Sequence, residues 1–107
     1  MSASDHPADG LDDVVHQRHR LGILVVLAET RRADFAYLKS TLGVTDGNLG
    51  RHLQVLEEAA YVTVEKVFEQ RRPRTWVTIT KAGREALNSE IAVLDDIVSR
   101  ARRSGQD

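Results

Sequence analysis

The chain has no cysteine, which excludes a disulfide framework, a thiolate metal site and a cysteine redox switch by inventory alone. It also lacks any long hydrophobic run. The longest nearly unbroken apolar stretch, Leu21 to Ala28, falls far short of the roughly 20 residues a membrane span needs, and the acidic N-terminus has no basic n-region of the kind a signal peptide carries. A soluble cytoplasmic protein without membrane contact is the expectation. No nucleophile elbow, phosphate-cradling glycine loop or zincin motif occurs, so no enzyme and no cofactor are expected. There is no excess of positive charge either, since the formal net charge over 107 residues is −1.

That total hides a segregation along the chain. Residues 1 to 17 hold Asp5, Asp9, Asp12 and Asp13 without a single Lys or Arg, whereas residues 18 to 56 carry six basic residues (Arg18, Arg20, Arg31, Arg32, Lys39 and Arg51) against three acidic ones. At this length one domain is expected, of a size that often gains stability by dimerising.

Residues 1–10 read as a flexible leader, 11–103 as the folded domain and 104–107 as a tail. Leu11, Val14, Val15, Leu21, Leu24, Val25 and Ala28 recur at helical spacing, predicting a first helical region from Leu11 to about Glu29 with a break or bend near Gly22. Asp34 offers an N-cap to a second helix, in which Phe35, Leu38 and Leu42 share a face before Gly43 supplies a left-handed end. Val44 plugs the turn and Thr45 or Asp46 caps a third helix, lined by Leu49, Leu53, Leu56 and Ala60. Tyr61 to Phe68 and Thr75 to Thr80 alternate as strands, with Val62, Val64, Val77 and Ile79 inward and Trp76 outward, around a loop at Glu69 to Arg74. Thr80 then caps a last helix whose Leu87, Ile91, Leu94, Val98 and Ala101 keep the spacing of a coiled-coil seam. The fold class is α+β, mostly helical: a winged helix-turn-helix with a two-stranded wing hairpin and a C-terminal dimerisation helix.

The segments FAYLKSTLG at 35–43, VTDGNLGRHLQVLEEAAYV at 44–62 and EQRRPRTWVTITKAG at 69–83 resemble the MarR and ArsR groups of bacterial transcription regulators. The similarity is greatest to the small single-domain winged-helix proteins between those groups and covers roughly residues 11 to 103. It implies a homodimer that binds double-stranded DNA.

The residues give that implication its chemistry. A helix fits the major groove, where residues near its N-terminus reach base edges. In the helix 45–60, Asn48 can pair bidentately with adenine and Arg51 with guanine. Gln54, a turn later, suits adenine or a phosphate, and Thr45 stands at the entry. Gly47 and Gly50 each cost on the order of 1 kcal/mol relative to alanine in a helix. Such a pair suggests close approach to a surface; the alternatives are that Gly47 lies so near the cap that its penalty is small and that Gly50 packs against a neighbouring helix. Asp46 suits the helix N-terminus as a cap but would repel phosphate. The resemblance implies a backbone contact for His52, in Arg-His-Leu; a half-buried structural histidine is the other reading.

In the wing 69–74, Arg71, Arg72 and Arg74 surround Pro73, which restricts the loop, and Lys66 and Gln70 are secondary phosphate contacts. The resemblance implies that Arg72 or Arg74 enters the minor groove. Glu65 and Glu69 temper the local field. Arg18 and Arg20 are further candidates for phosphate.

A two-fold dimer would use Leu11, Val14, Val15, Leu87, Ile91, Leu94, Val98 and Ala101, with Trp76 as a further candidate; the plainer reading of the Leu87 to Ala101 seam is packing on its own domain. Asp12, His16 and His19 have helical spacing that could hold a metal ion, against the plainer reading of a solvated polar face. The last helix departs from the ArsR pattern of acidic and histidine ligands, offering Glu90, Asp95 and Asp96 with no histidine. The expectation is a repressor that occludes a promoter and answers to a small-molecule effector of unspecified chemistry. The alternative is a winged-helix protein-interaction module that never meets DNA.

Overall fold

A computed structural model describes residues 6–105; the outer parts of the expected leader (1–5) and tail (106–107) lie outside them. The order of elements is α1 (Arg18–Thr30), β1 (Arg32–Asp34), α2 (Phe35–Leu42), α3 (Asp46–Glu58), β2 (Val62–Glu69), β3 (Arg72–Ile79) and α4 (Lys81–Ser104), preceded by a short 3-10 turn at Pro7–Gly10. Side-chain caps start all four α-helices, α1 from Gln17. Asp34 accepts from the Tyr37 amide, Thr45 from Asn48 and Thr80 from Gly83, each satisfying a donor that the helix itself leaves orphaned. Gly43, at φ 64°, closes α2 in the left-handed region open to glycine.

The core is one apolar cluster. Ile23, Leu24 and Leu27 of α1, Leu38 of α2, and Leu49 and Leu56 of α3 are fully buried, and Val62, Val77 and Leu87 close it from the sheet and α4. This packing turns the opposite face of α3 to solvent. Among the described residues no helix is long and apolar enough to cross a membrane.

Several expectations need correction. Residues 11–17 are not helical, because Asp12 Oδ1 takes the Val14 and Val15 amides in a local turn that competes with helix. The helix begins only after Gln17, whose side chain accepts from the His19 and Arg20 amides. Gly22 breaks nothing; it sits inside α1 where Leu42 of α2 comes close. Pro7–Gly10, in the expected leader, forms a 3-10 turn beside α4, with Gly10 close to Val93. At the other end of the motif α3 stops at Glu58, and Ala60, expected on its inner face, is an exposed turn residue at φ 65°.

The sheet has a third strand, in the order β1-β3-β2, all antiparallel. β1 is only three residues long, too short for alternation to reveal. The wing loop is tighter than expected: Gln70 and Arg71, both at positive φ, form a two-residue hairpin turn of the kind that matches strand twist. Arg72, Pro73 and Arg74 therefore belong to β3.

A polar cluster around the buried Glu90 ties α4 to the N-terminal segment. The Glu90 side chain, fully buried, accepts from the Asp12 amide at 3.0 Å and pairs with His16 Nδ1 at 2.9 Å. Tyr61 donates its hydroxyl to Asp12 Oδ2 at 2.7 Å. Burial works against ionisation of Asp12, but the Tyr61 hydroxyl and the two turn amides outweigh it and hold its pKa below the usual value. His16 is thus committed to Glu90 and His19 lies against the His52 ring. They do not form the metal-binding face that helical spacing suggested, and among the described residues no group of three acidic or histidine side chains could hold a metal ion.

Candidate nucleic-acid interface

The exposed face of α3 carries Asp46, Gly47, Asn48, Gly50, Arg51 and Gln54. Asn48 and Arg51, at i and i+3, stand side by side, and Gly47, Gly50 and Gln54 form the adjoining row. Thr45 is exposed at the entry, its hydroxyl spent on the cap. A Cβ built on Gly47 or Gly50 would meet nothing within 4 Å. Neither glycine is therefore required by packing inside the protein, and the neighbouring-helix explanation for Gly50 is excluded. Lys39 of α2 reaches Asp46 at 2.9 Å, so the acidic group at the start of α3 is offset by a cation.

His52 is half-buried beside Arg20, whose guanidinium lies 3.2 Å from its Nδ1. Because a guanidinium only donates, Nδ1 is the acceptor and the proton sits on Nε2. Burial, then the charges of Arg20, His19 and Arg51, push the His52 pKa down. The ring is a neutral donor, not a cation. Arg20 also donates to the Val14 and Asp13 carbonyls, so it anchors the N-terminal segment, while Arg18 is exposed.

Alternation sorts the wing into two faces. One holds Val64, Lys66 and Phe68, opposite Val77, Thr75 and Pro73 of β3. Lys66, Val64 and Thr75 line a cleft of about 400 Å³ with Phe35, Gly50 and Gln54, so this face is turned toward α3. The other holds Glu65, Val67 and Glu69 with Arg72, Arg74 and Trp76. There Arg74 is occupied: it pairs with Asp34 at 2.8 Å and Glu69 at 3.3 Å, and stacks 4.4 Å from the Trp76 ring. Arg32 covers the same indole at 3.9 Å. The Tyr37 amide first, and Arg74 with it, hold the Asp34 carboxyl below its usual pKa against the cost of partial burial. Of the two arginines that the resemblance sent toward the groove, Arg72 and Arg74, the second is thus held by two carboxylates on the far face. Among the described residues Arg71 and Arg72 make no ion pair, and both are exposed at the tip with Gln70.

The positions expected at a dimer seam divide. Val15 and Leu87 are buried in the chain's own core, whereas Ile91 is 43% and Val98 44% exposed. Ala101 is exposed and Leu11, Val14 and Leu94 are half-buried. Trp76 belongs to the charged cluster at the base of the wing. Sequence reasoning missed Phe68, which is 73% exposed; its place two residues beyond Lys66 was the available signal.

A family model described as a winged helix DNA-binding domain matches residues 19–98. An uncharacterised protein of Methanocaldococcus jannaschii is 40% identical over 72 residues, covering 67% of this chain and 78% of its own length. The solved structure of a transcriptional regulator homologue from Pyrococcus horikoshii OT3 is similar at 30% identity with a TM-score of 0.84, over 92% of this chain and 98% of that one. A chain from Enterococcus faecalis described as a MarR-family regulator shares the fold at 18% identity, TM-score 0.74, over 100% of this chain and 98% of its own.

Proposed function

The chain belongs to the winged helix DNA-binding domain family, and from that membership we propose a homodimeric transcription repressor that reads a pseudo-palindromic duplex site. The α3 face enters the major groove, with Asn48 and Arg51 on base edges, Gly50 and Gly47 permitting close approach, and Gln54 and His52 Nε2–H on the backbone. Lys66, Arg71 and Arg72 of the wing contact the minor groove or its phosphates. The observation that carries this reading is the α3 surface itself: an exposed Asn48–Arg51 pair beside Gly50, a glycine in the body of the helix that costs helix stability and at which a Cβ would meet nothing inside the protein. The chain is not an enzyme; its family is defined by DNA binding.

One winged helix covers one half-site, so a two-fold dimer is the economical reader of a palindrome. The α4 helix, 24 residues or about 36 Å long, supports this arrangement through its exposed Ile91, Val98 and Ala101, continued by Leu94, Leu11 and Val14. Repression follows from occlusion of a promoter, and release from an effector that favours a dimer with wrongly spaced recognition helices.

Changing Ile91 and Val98 together to Glu tests the dimer. Sedimentation should find the parent at dimer mass and the variant at monomer mass with unchanged helical signal, since both side chains are exposed. Affinity for a duplex with two half-sites should fall at least about 100-fold, because linkage of two sites supplies a gain of that order. A parent that sediments as a monomer while binding the full site tightly would refute it. The second reading, a protein-interaction module, is favoured by one observation, the exposed Phe68.

A further inference from the structure

Phe68 is a large apolar side chain that phosphate contact does not use. It is 73% exposed, on the face of the hairpin turned toward α3, one cross-strand pair beyond Lys66 and Thr75, and its own partner is Pro73. The two-residue turn places Arg71 and Arg72 immediately beyond it. We propose that Phe68, backed by Pro73, is an apolar wedge that enters the minor groove beside the recognition helix and unstacks a flexible pyrimidine–purine step. The protein then selects its site by deformability as well as by base edges. This rests on the DNA-binding reading of α3.

Three observations favour the wedge. Arginine entry from the middle of β3 is blocked, because Arg74 is held by Asp34 and Glu69 on the opposite face. The knob of Phe68 and Pro73 has Lys66 on its own face and the exposed Arg71 at the adjoining turn, charges that would bring it to a phosphate-lined groove. Phe and Pro are side chains that minor-groove proteins insert between base steps, and TA and CA/TG steps yield most readily. A protein partner would want a contiguous apolar patch. The other large apolar residues that are exposed, Val25, Tyr37, Ile91 and Val98, lie on the helices α1, α2 and α4 rather than on the wing.

The test uses the full chain and a duplex selected from a random pool, with end-to-end energy transfer reporting bend and 2-aminopurine fluorescence reporting unstacking under the wing. The parent should bend the duplex and brighten the 2-aminopurine. Phe68→Ala should lose both signals and roughly ten- to hundred-fold in affinity, the range of one aromatic–base contact, with its salt dependence unchanged. Phe68→Trp should keep the bend. Equal affinity and bend in parent and Phe68→Ala would overturn the wedge while leaving DNA binding intact. Failure of the parent to bind any duplex at low salt would instead overturn the reading beneath it. Loss of self-association in Phe68→Ala with DNA bending retained would assign the side chain to a protein contact and also overturn the proposal.

Discussion

The Gly50→Leu variant should be slightly more stable than the parent and bind DNA on the order of 100-fold more weakly. A Cβ at this position meets nothing within 4 Å, so the protein has room for the side chain. Replacing a helical glycine by a good helix former should gain up to about 0.8 kcal/mol. The same side chain would project from the face carrying Asn48 and Arg51 and hold the helix off the groove floor. Losing even one bidentate base contact costs about 1–3 kcal/mol, and withdrawal weakens its neighbours too. Denaturation midpoints and fluorescence anisotropy on the same samples read the two effects separately. A variant with parental affinity would remove Gly50 from the interface.

Gly83→Ala should have the opposite effect on stability, and a large one. Gly83 lies in the first turn of α4, buried, with its amide on the Thr80 cap. A Cβ there would overlap the Tyr61 carbonyl oxygen and stand 3.0 Å from Ile79 Cγ1. The carbonyl cannot simply swing away, because it accepts the Thr80 amide at 3.0 Å. Overpacking costs typically about 1–3 kcal/mol, and a contact with a backbone atom that cannot move belongs at the upper end, a large share of the roughly 5–15 kcal/mol that holds a domain together. The melting temperature should drop by about 10–20 °C. Thermal melts of Gly83→Ala beside Gly50→Ala make the comparison internal, since one substitution is expected to change sign between two helices. A melt of Gly83→Ala within a degree or two of the parent would mean that α4 does not dock on Tyr61 as described.

That pair also marks what was legible in the sequence. Both glycines sit in helices, and nothing local separates one that faces solvent from one pressed on a carbonyl. Features fixed by neighbours in the chain could be read directly: the caps at Asp34 and Thr80, the left-handed Gly43, and the alternation of the wing strands; the cap of α3 was narrowed to Thr45 or Asp46, and it is Thr45 that accepts from Asn48. Features set by distant partners or by unusual residue choices could not. Gln17 is an uncommon cap, and Asp12 draws the Val14 and Val15 amides out of a pattern whose apolar spacing is helical. Gln-Arg is a poor sequence signal for a two-residue hairpin turn, so the wing loop seemed longer than it is. The β1 strand exists through pairing of Arg32 with Thr78, far along the chain.

The candidate site divides in the same way. Exposure of Asn48, Gly50, Arg51 and Gln54 follows from helical periodicity against Leu49, Leu53 and Leu56. Capture of Arg74 by Asp34 depends on a partner 40 residues away, and Glu90 reads as one acid among several on α4 until His16 and the Asp12 amide fold onto it.

The most direct test of the central claim, that α3 and the wing tip bind double-stranded DNA, is anisotropy on a random duplex pool across a salt series. Three proteins are compared: the parent, Arg71→Ala with Arg72→Ala, and Arg74→Ala. The parent should bind with log affinity falling steeply against log salt. The tip double variant should weaken and lose about two units of slope, close to 0.9 per phosphate contact, while Arg74→Ala should keep the parental slope because its guanidinium is already committed to Asp34 and Glu69. Absence of parental binding at low salt, or a loss of slope confined to Arg74→Ala, would contradict the account.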